Sequence, residues 1–449
     1  MPPSFLIVTV VACLFLVSAC SDSSDSRQTV ELETPPTDCF WLEYDKEKYN
    51  YGSNDTGATA WAAFYTLPEE GAYISIESAF PYARYLSLIT YDLGVGPIDA
   101  LIDRDIIADS GSTNPFVEGN PRNDPSRRYL VSVEPGFPPL ESDSSVENKL
   151  YGGSSGPGNL GFMIYRVYVP TTGTDSSGGV GVPRVTLHMA DGGIVQGEDV
   201  CEMLSLNPSE PPRPLPPAEA YSELRSNNDP SRNPPVFRAG YNSTFRVQCD
   251  FLGDCSGNPE RIPGVFANVG SAYIYSFLNR QYGEVAVLRG KIPEIPRTLD
   301  GTDRVFIEKE LRYWSICPYE YYSGATTDCL FDEEIPTNAD GFYTIVYSRL
   351  EDRPENAAIE CGVGFIPWSE EGDGLSIVEG RENNSDDGYF LVRNMVPADD
   401  FDQAIHNTEV PGDEADVLGE YLPKARHFTI AEFEALGCDP WLALPYDQM

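Results

Sequence analysis

The chain has 449 residues, of which 70 are acidic and 30 are Lys or Arg, and its formal net charge is −40. An electrostatic field of that sign repels phosphate backbones, which argues against nucleic acid as a partner. Hydrophobic residues make up 41% of the chain and aromatic residues 12%, which excludes a largely disordered polymer and is enough material for two domain cores.

The first predicted element is an export signal. Residues 5–17 form an apolar run that is too short to span a bilayer but has the length of a signal-peptide core. Small residues then precede Cys20, and a Ser/Asp tract follows it. We therefore predict a signal peptide over residues 1–19 and a tether over residues 20–38.

The segment around Cys20 resembles the lipobox of bacterial lipoproteins. That resemblance implies lipidation of Cys20 and a membrane anchor, and Ser21 directly after the cysteine implies the outer membrane. Residues 1–4 lack the Lys or Arg that such signals normally carry. Secretion with cleavage before Cys20 is therefore the alternative, and the predicted location is the cell envelope or the extracellular space.

Aromatic and β-branched runs bounded by Gly and Pro predict strands, as at residues 61–66 and 72–76. Both alternating faces of residues 84–91 are largely non-polar, which predicts a strand in the interior of a sheet. Residues 271–278 and 284–291 are predicted to form a strand pair. The chain is therefore predicted to be mainly β.

Four blocks of sequence occur twice in the same order, at separations of 214 to 229 positions, which indicates an internal duplication. The paired blocks are residues 83–92 and 311–320, 99–105 and 328–334, 128–133 and 342–347, and 166–170 and 393–397. The first pair shares an Arg-Tyr step, and the last pair shares an Arg-x-x-Val-Pro unit. The chain is therefore predicted to contain two related domains.

A proline-dense stretch, residues 207–235, predicts a linker between a first domain at residues 39–206 and a second at residues 236–449. Short peripheral helices are predicted at residues 399–406 and 429–436. The first domain also carries a long insertion at residues 106–127. Because long loops in compact domains are often functional, this insertion is a predicted binding edge.

The repeated pattern is similar to the bacterial family known as domain of unknown function 1214. The second half carries the matching motifs at residues 312–315 (RYWS), 340–345 (DGFYTI), 366–368 (IPW) and 393–397 (RNMVP), and the first half matches more loosely. The resemblance implies a jelly-roll-like β-sandwich and no particular activity. The predicted fold is therefore two jelly-roll-like β-sandwich domains with short peripheral helices.

Cysteine usage agrees with export, because eight cysteines remain outside the signal and the lipidation position, and eight can form four disulfides. Local spacing favours Cys249–Cys255 and Cys317–Cys329. The remaining candidates are Cys39, Cys201, Cys361 and Cys438, for which Cys39–Cys201 and Cys361–Cys438 are the favoured pairs. A zinc site is the alternative, but the sequence has no CxxC motif.

Both copies keep three carboxylates at nearly the same spacing. They are Asp99, Asp103 and Asp105 in the first copy and Asp328, Asp332 and Glu334 in the second. Such carboxylates suit a calcium site, and calcium is the only cofactor that the sequence suggests. The competing interpretation makes them partners of the duplicated Arg84 and Arg312, and the duplicated Arg166 and Arg393 are likewise predicted to be structural ion-pair formers.

Motifs of known chemistry have the wrong context. A GxGxxG string at residues 156–161 and a GxSxG string around Ser154 both lie in a Gly/Ser loop rather than between a strand and a helix. The three histidines, His188, His406 and His427, have no metal-ligand spacing. No catalytic residue is assigned.

We therefore predict a non-catalytic envelope lipoprotein that acts as a binding or scaffold protein for a glycan, an apolar ligand or another envelope protein. The alternative is a secreted glycan hydrolase or lyase that uses carboxylates, either Asp103 with Asp105 or Asp332 with Glu333 and Glu334. The two differ in geometry, because glycosidase carboxylates lie roughly 5 to 10 Å apart in an open groove.

Overall fold

The structure is a computed structural model that describes residues 32–139, 148–153, 160–204, 213 and 215–445. The strands described in the first half are β1 (Leu42–Tyr44), β2 (Ala58–Thr66), β3 (Tyr73–Ala79), β4 (Tyr85–Tyr91), β5 (Pro97–Ile102), β6 (Arg128–Glu134), β7 (Lys149–Tyr151), β8 (Leu160–Tyr168), β9 (Arg184–His188) and β10 (Ile194–Gln196). Those of the second half are β11 (Arg238–Ala239), β12 (Ser271–Asn279), β13 (Val285–Lys291), β14 (Leu311–Tyr319), β15 (Leu330–Phe331), β16 (Phe342–Ser348), β17 (Gly364–Pro367), β18 (Asp387–Pro397) and β19 (Lys424–Phe428). The α-helices are α1 (Asp199–Met203), α2 (Ala218–Asn227), α3 (Ser243–Arg246), α4 (Glu414–Leu418) and α5 (Ile430–Glu434).

Each half is a β-sandwich. The first half has one sheet in the order β1-β2-β8-β4-β5 and a second in the order β10-β9-β3-β6-β7. The second half has the sheets β11-β12-β18-β14-β15 and β17-β16-β13-β19. The first nine strands of each half therefore correspond one to one in chain order and in sheet position, and only β10 has no counterpart. The prediction of two β-sandwich domains is confirmed.

Period-2 alternation builds the two cores. In β2, Trp61, Ala63 and Tyr65 point inward and join the core of the first sandwich. The alternate residues of the same strand point away from that core. In β4 both faces are buried, because one packs in the core and the other faces the second half of the chain. The strand lies between β8 and β5, as its non-polar faces predicted.

Two local predictions were wrong. Residues 271–278 and 284–291 do not pair, because β12 and β13 lie in opposite sheets and bond instead to β18 and to β16 and β19. Residues 399–406 form only a 3₁₀ turn at Ile405–Asn407 rather than a helix. By contrast, the helix predicted at residues 429–436 is present as α5, which begins at a capping box formed by Thr429 and Glu432.

The predicted linker contains an unexpected helix, α2, which packs on the second half of the chain. Its Tyr221 is buried and donates a hydrogen bond to Asp373 at 3.0 Å, and its Arg225 forms an ion pair with Asp387 at 2.7 Å. Tertiary contacts therefore order part of a segment whose prolines suggested a spacer.

Reciprocal ion pairs join the two halves. Arg312, in the second half, contacts both carboxylate oxygens of Asp103 at 2.8 Å. In the equivalent place Arg84, in the first half, forms ion pairs with Asp332 and Glu333. Both arginines and both aspartates are buried. The domains are therefore related by a pseudo-two-fold axis, and each supplies the counter-ion that the other needs.

Apolar side chains surround these pairs. Tyr85 and Tyr168 of the first half pack with Tyr313 and Met395 of the second, and the rings of Tyr168 and Tyr313 are 5.2 Å apart. The insertion at residues 106–127 also lies at this junction, where the Gly119 and Arg122 amides donate to the carbonyls of Phe306 and Arg304 at 2.9 Å. The insertion is thus an inter-domain contact in the structure.

Cysteine pairing follows the favoured scheme. The structure forms Cys39–Cys201, Cys249–Cys255, Cys317–Cys329 and Cys361–Cys438. Within the described ranges, no helix is both long and apolar enough to span a bilayer.

Two equivalent glycines lie under aromatic rings, Gly161 in β8 and Gly388 in β18. A Cβ atom at Gly161 would lie 2.5 Å from Cζ of Tyr65, and one at Gly388 would lie 2.6 Å from Cζ2 of Trp368. We expect Gly161→Ala and Gly388→Ala each to lower the free energy of unfolding by about 1–3 kcal/mol, because either ring must move in a packed interior. Urea unfolding measures this, with Gly264→Ala as a control because that glycine is exposed, its φ is not positive, and its Cβ would meet nothing within 4 Å. Losses no larger than that of the control would contradict the prediction.

Candidate functional site

A cavity of about 1000 Å³ lies between the two sandwiches. Its walls come from the outward faces of β2 and β8 in the first half and of β12 and β18 in the second. Residues 240–247 and 261–273 complete the lining on one side. Its size and its position between two domains are typical of small-molecule sites.

Alternation along the strands explains why space remains here. The outward positions of β2 that border the cavity carry only alanine, at Ala58, Ala60 and Ala62, while Trp61 and Tyr65 point inward and fill the core. Across the cavity, β12 presents Tyr273 and Tyr275. Small side chains on one wall therefore leave room that the other wall does not fill.

Tyrosine dominates the lining. Among the described residues, eleven of the 26 tyrosines of the chain border the cavity. They include a cluster in which the ring of Tyr389 lies 5.9 Å from that of Tyr275 and 5.2 Å from that of Tyr321. Such rings offer large apolar faces with a hydroxyl at one end, which suits ligands that are mostly non-polar.

Arginine supplies the charge of the cavity. The described lining includes Arg166, Arg213, Arg246, Arg261 and Arg393 against two carboxylates, Asp55 and Glu320. The protein as a whole has a net charge of −40. The cavity is thus an electropositive site inside a strongly acidic protein.

Arg393 is neutralised within the protein. It forms an ion pair with Asp55, a residue of the other half, and its Nη1 donates to Oγ of Ser315 at 3.1 Å. Asp55 also accepts from the hydroxyls of Tyr313 at 2.8 Å and Ser315 at 2.6 Å. This duplicated arginine is a structural ion-pair former, as predicted from the sequence.

Arg166 occupies the equivalent place in the first half but has different partners. It donates to the Tyr91 hydroxyl at 2.6 Å and to the Phe266 carbonyl at 2.8 Å. The position equivalent to Asp55 is Asn268. Each lies two residues before a glycine whose carbonyl accepts a hydrogen bond from the valine amide of the Arg-x-x-Val-Pro unit in the same half. Asn268 accepts from Tyr85 at 2.8 Å, as Asp55 does from Tyr313. The network therefore recurs with a neutral amide in place of a carboxylate.

Arg246 presents its guanidinium to the cavity from α3. Its Nη1 donates to the Tyr389 hydroxyl at 2.9 Å, and the group lies over the Tyr275 ring at 5.1 Å. Its Nε is buried and has no hydrogen-bond partner among the described residues. The guanidinium thus places a positive charge, stacked on an aromatic ring, at the edge of the tyrosine cluster.

One edge of the cavity is exposed and aliphatic. Ile262, Val265 and Val269 border the cavity, and their exposed fractions are 54%, 44% and 47%. They lie in an irregular segment between α3 and β12. Exposed apolar residues at the rim of a cavity are typical of an entrance for a non-polar ligand.

His406 also borders the cavity, and burial lowers its pKa to about 4. As the pH falls from about 6.5 towards 4, the unfolded chain binds a proton at this position that the folded protein excludes, so the folded state loses stability. Between about pH 7.5 and pH 5 we expect the wild type to lose about 1–2 kcal/mol more unfolding free energy than His406→Gln. Urea unfolding at the two pH values checks this. Equal losses in the two proteins would contradict the prediction.

The six predicted acidic residues do not converge on one site. Asp103 and Asp332 are the buried partners of Arg312 and Arg84, and Leu86 and Trp314 donate their backbone amides to them. Asp328 and Glu334 border a second, more open pocket, where Asp328 pairs with Lys46. Asp99 accepts from the amides of Tyr151 and Ala100, and Asp105 is exposed. The calcium interpretation gains no support from this arrangement.

The remaining predicted residues can be placed briefly. Asp55 lies close to Cys317 and Cys329, but these cysteines are bonded to each other and are not free to hold a metal. His188 contacts Oγ of Ser75 at 2.8 Å, and His427 lies beside the Tyr282 ring. Cys20, Ser154 and most of the GxGxxG string lie outside the described residues.

The structure resembles uncharacterised proteins. One is a protein from Burkholderia cenocepacia, with 11% identity over 87% of this chain and 82% of that one and a TM-score of 0.44. Another is the VPA0106 protein from Vibrio parahaemolyticus, with 12% identity over 83% of this chain and 89% of that one and a TM-score of 0.37. No protein-family model matches the sequence, and no match is found among curated proteins.

Proposed function

We propose that the protein is a non-catalytic exported binding protein that holds a small, mostly apolar organic molecule between its two β-sandwiches. The observation that carries this proposal is the cavity of about 1000 Å³, walled by alanines on one side and tyrosines on the other, with exposed aliphatic residues at its rim. Of the predicted ligands, the apolar one fits these walls best.

The carboxylates of the cavity support binding rather than hydrolysis. Asp55 is occupied by Arg393, Tyr313 and Ser315. Glu320 accepts hydrogen bonds from Ser323 at 2.5 Å and Ser369 at 2.7 Å. A glycosidase needs two carboxyl groups that face its substrate, whereas both of these are held by the protein.

The cellular setting completes the proposal. Four disulfides suit an oxidising compartment. An export signal at residues 1–19 and a lipidated Cys20 would tether the two domains to the outer membrane through residues 20–38. The proposed role is that of an envelope lipoprotein with two domains related to domain of unknown function 1214, which captures a ligand outside the cytoplasm.

The experiment is a fluorescence titration with N-phenyl-1-naphthylamine, a neutral apolar probe, on the wild type and Ala60→Phe. Because Ala60 lines the cavity, the new ring fills part of it, and we expect the probe to bind the variant at least about tenfold more weakly. Ala431→Phe is the matched control, since Ala431 is exposed on α5 outside the lining. No binding to the wild type, or equal binding to all three proteins, would overturn the proposal.

A further inference from the structure

The geometry points to an anionic group on the ligand, held by Arg166 on the side of the cavity where Asn268 replaces a carboxylate. The inference rests on the proposed function, because it assumes that the cavity is the ligand site. It assigns the ligand to the organic acids: molecules with an apolar aliphatic or aromatic body and a negatively charged group.

The two duplicated arginines differ in their counter-ions. Arg393 and Arg166 hold equivalent positions on β18 and β8, and both are buried, with exposed fractions of 4% and 8%. Arg393 has the Asp55 carboxylate as its counter-ion. Arg166 has Asn268 at the equivalent position, and an amide cannot neutralise a guanidinium. A buried cation that lacks an anion is costly, so an anion supplied from outside is favourable there.

The other ionisable groups around Arg166 do not neutralise it. The ionisable groups that act on it are tyrosines, namely Tyr91, Tyr168 and Tyr273. Burial raises the pKa of Tyr91 and of Tyr273 above its usual value, so these hydroxyls are neutral at neutral pH. The Tyr91 hydroxyl accepts a hydrogen bond from the guanidinium without cancelling its charge. The positive charge of Arg166 is therefore available to a ligand in the cavity.

The walls around Arg166 indicate the class of ligand. Close to Arg166 lie the alanine wall of β2 and the ring of Tyr273, which offer few groups to a highly hydroxylated or multiply charged molecule. Arg393 is already paired, so the duplicated positions leave one charge rather than two. A carboxylate or sulfonate on an apolar body matches one guanidinium and apolar walls.

The experiment compares two probes with the same ring system, the anionic 1-anilinonaphthalene-8-sulfonate and the neutral N-phenyl-1-naphthylamine. We expect the wild type to bind the sulfonate about tenfold to a hundredfold more tightly, the usual effect of a hydrogen bond to a charged group. Dodecanoate should displace the bound sulfonate, and glucuronate should not. Equal affinity for the two probes would overturn the inference, as would displacement by glucuronate alone.

The decisive variant is Asn268→Asp, which gives Arg166 the counter-ion that Arg393 already has. The second half of the network shows that a carboxylate fits this position, because Asp55 accepts from Tyr313 just as Asn268 accepts from Tyr85. We expect this variant to bind the sulfonate no more tightly than the neutral probe and to leave the affinity for the neutral probe unchanged. Arg166→Gln, which removes the cation, should have the same selective effect. This variant replaces Asn268→Asp in the titration if Asn268→Asp does not fold.

The outcomes separate the two proposals. If neither probe binds the wild type, the proposed function fails and the inference fails with it. If the neutral probe binds but the sulfonate has no advantage, the binding function stands and the anionic ligand is wrong. If Asn268→Asp weakens both probes equally, the effect is structural and Arg166 does not hold the anion.

Discussion

Replacement of Arg312 by Met is expected to lower the free energy of unfolding by about 3–5 kcal/mol, because it leaves the buried Asp103 carboxylate without its cation. Asp103 has no exposed surface, and its contacts with Arg312 are 2.8 Å long. The Arg-to-Met change keeps much of the side-chain volume, so the loss is electrostatic rather than steric. Urea unfolding, followed by tryptophan fluorescence, measures the effect.

Two further variants show whether the orphaned charge is the cause. The double variant Arg312→Met/Asp103→Leu should be more stable than Arg312→Met alone, since it removes both charges. Lys309→Met breaks an exposed ion pair with Glu294 and should change the unfolding free energy by no more than about 0.5 kcal/mol. A loss of less than about 1 kcal/mol in Arg312→Met, or a double variant as unstable as the single one, would show that this pair does not stabilise the junction.

Removal of the Cys39–Cys201 disulfide is expected to cost about 5 kcal/mol in the chain-entropy treatment, because it joins residues 162 positions apart. It ties the start of the first domain to α1, whose Val200 is buried in the core of the first sandwich. Without this disulfide the unfolded chain has a much larger conformational entropy, and unfolding is therefore more favourable. We expect Cys39→Ala/Cys201→Ala to unfold at a markedly lower urea concentration than the wild type.

The Cys249–Cys255 disulfide provides the matched comparison. Its cysteines are only six positions apart, so the same treatment gives a loss of about 2 kcal/mol for Cys249→Ala/Cys255→Ala. Both double variants remove two half-cystines and add the same side chains. If the two variants lose equal stability, loop length does not determine the contribution of these disulfides.

The sequence revealed the duplication because the residues that recur are those fixed by a specific contact. Arg84 and Arg312 recur because each is a buried ion-pair former, and Asp103 and Asp332 recur as their partners. What could not be predicted is that each arginine pairs with the aspartate of the other copy. A duplicated arginine and a duplicated aspartate allow pairing within a copy or between copies, and only the packing of the domains decides between them.

The cavity was missed although part of its signal is visible. Ala58, Ala60 and Ala62 alternate with larger residues in a single strand, a pattern that leaves one face without bulk. That pattern does not say what lies opposite, and β12 follows more than 200 positions later in the chain. The role of Arg166 could not be predicted either. Arg166 differs from Arg393 in the residue that it meets across the domain junction, and the sequence alone does not identify that residue.

The pseudo-two-fold arrangement has a consequence for the site. Two identical subunits that meet across such an axis must carry the same residue at both equivalent positions, so a cavity on the axis has two equal halves. A single chain escapes that constraint, since its halves can differ at one position while the rest of the interface stays matched. Asp55 on one side and Asn268 on the other are such a difference. Covalent linkage of the halves thus permits one polarised cavity in which a ligand has a single defined orientation.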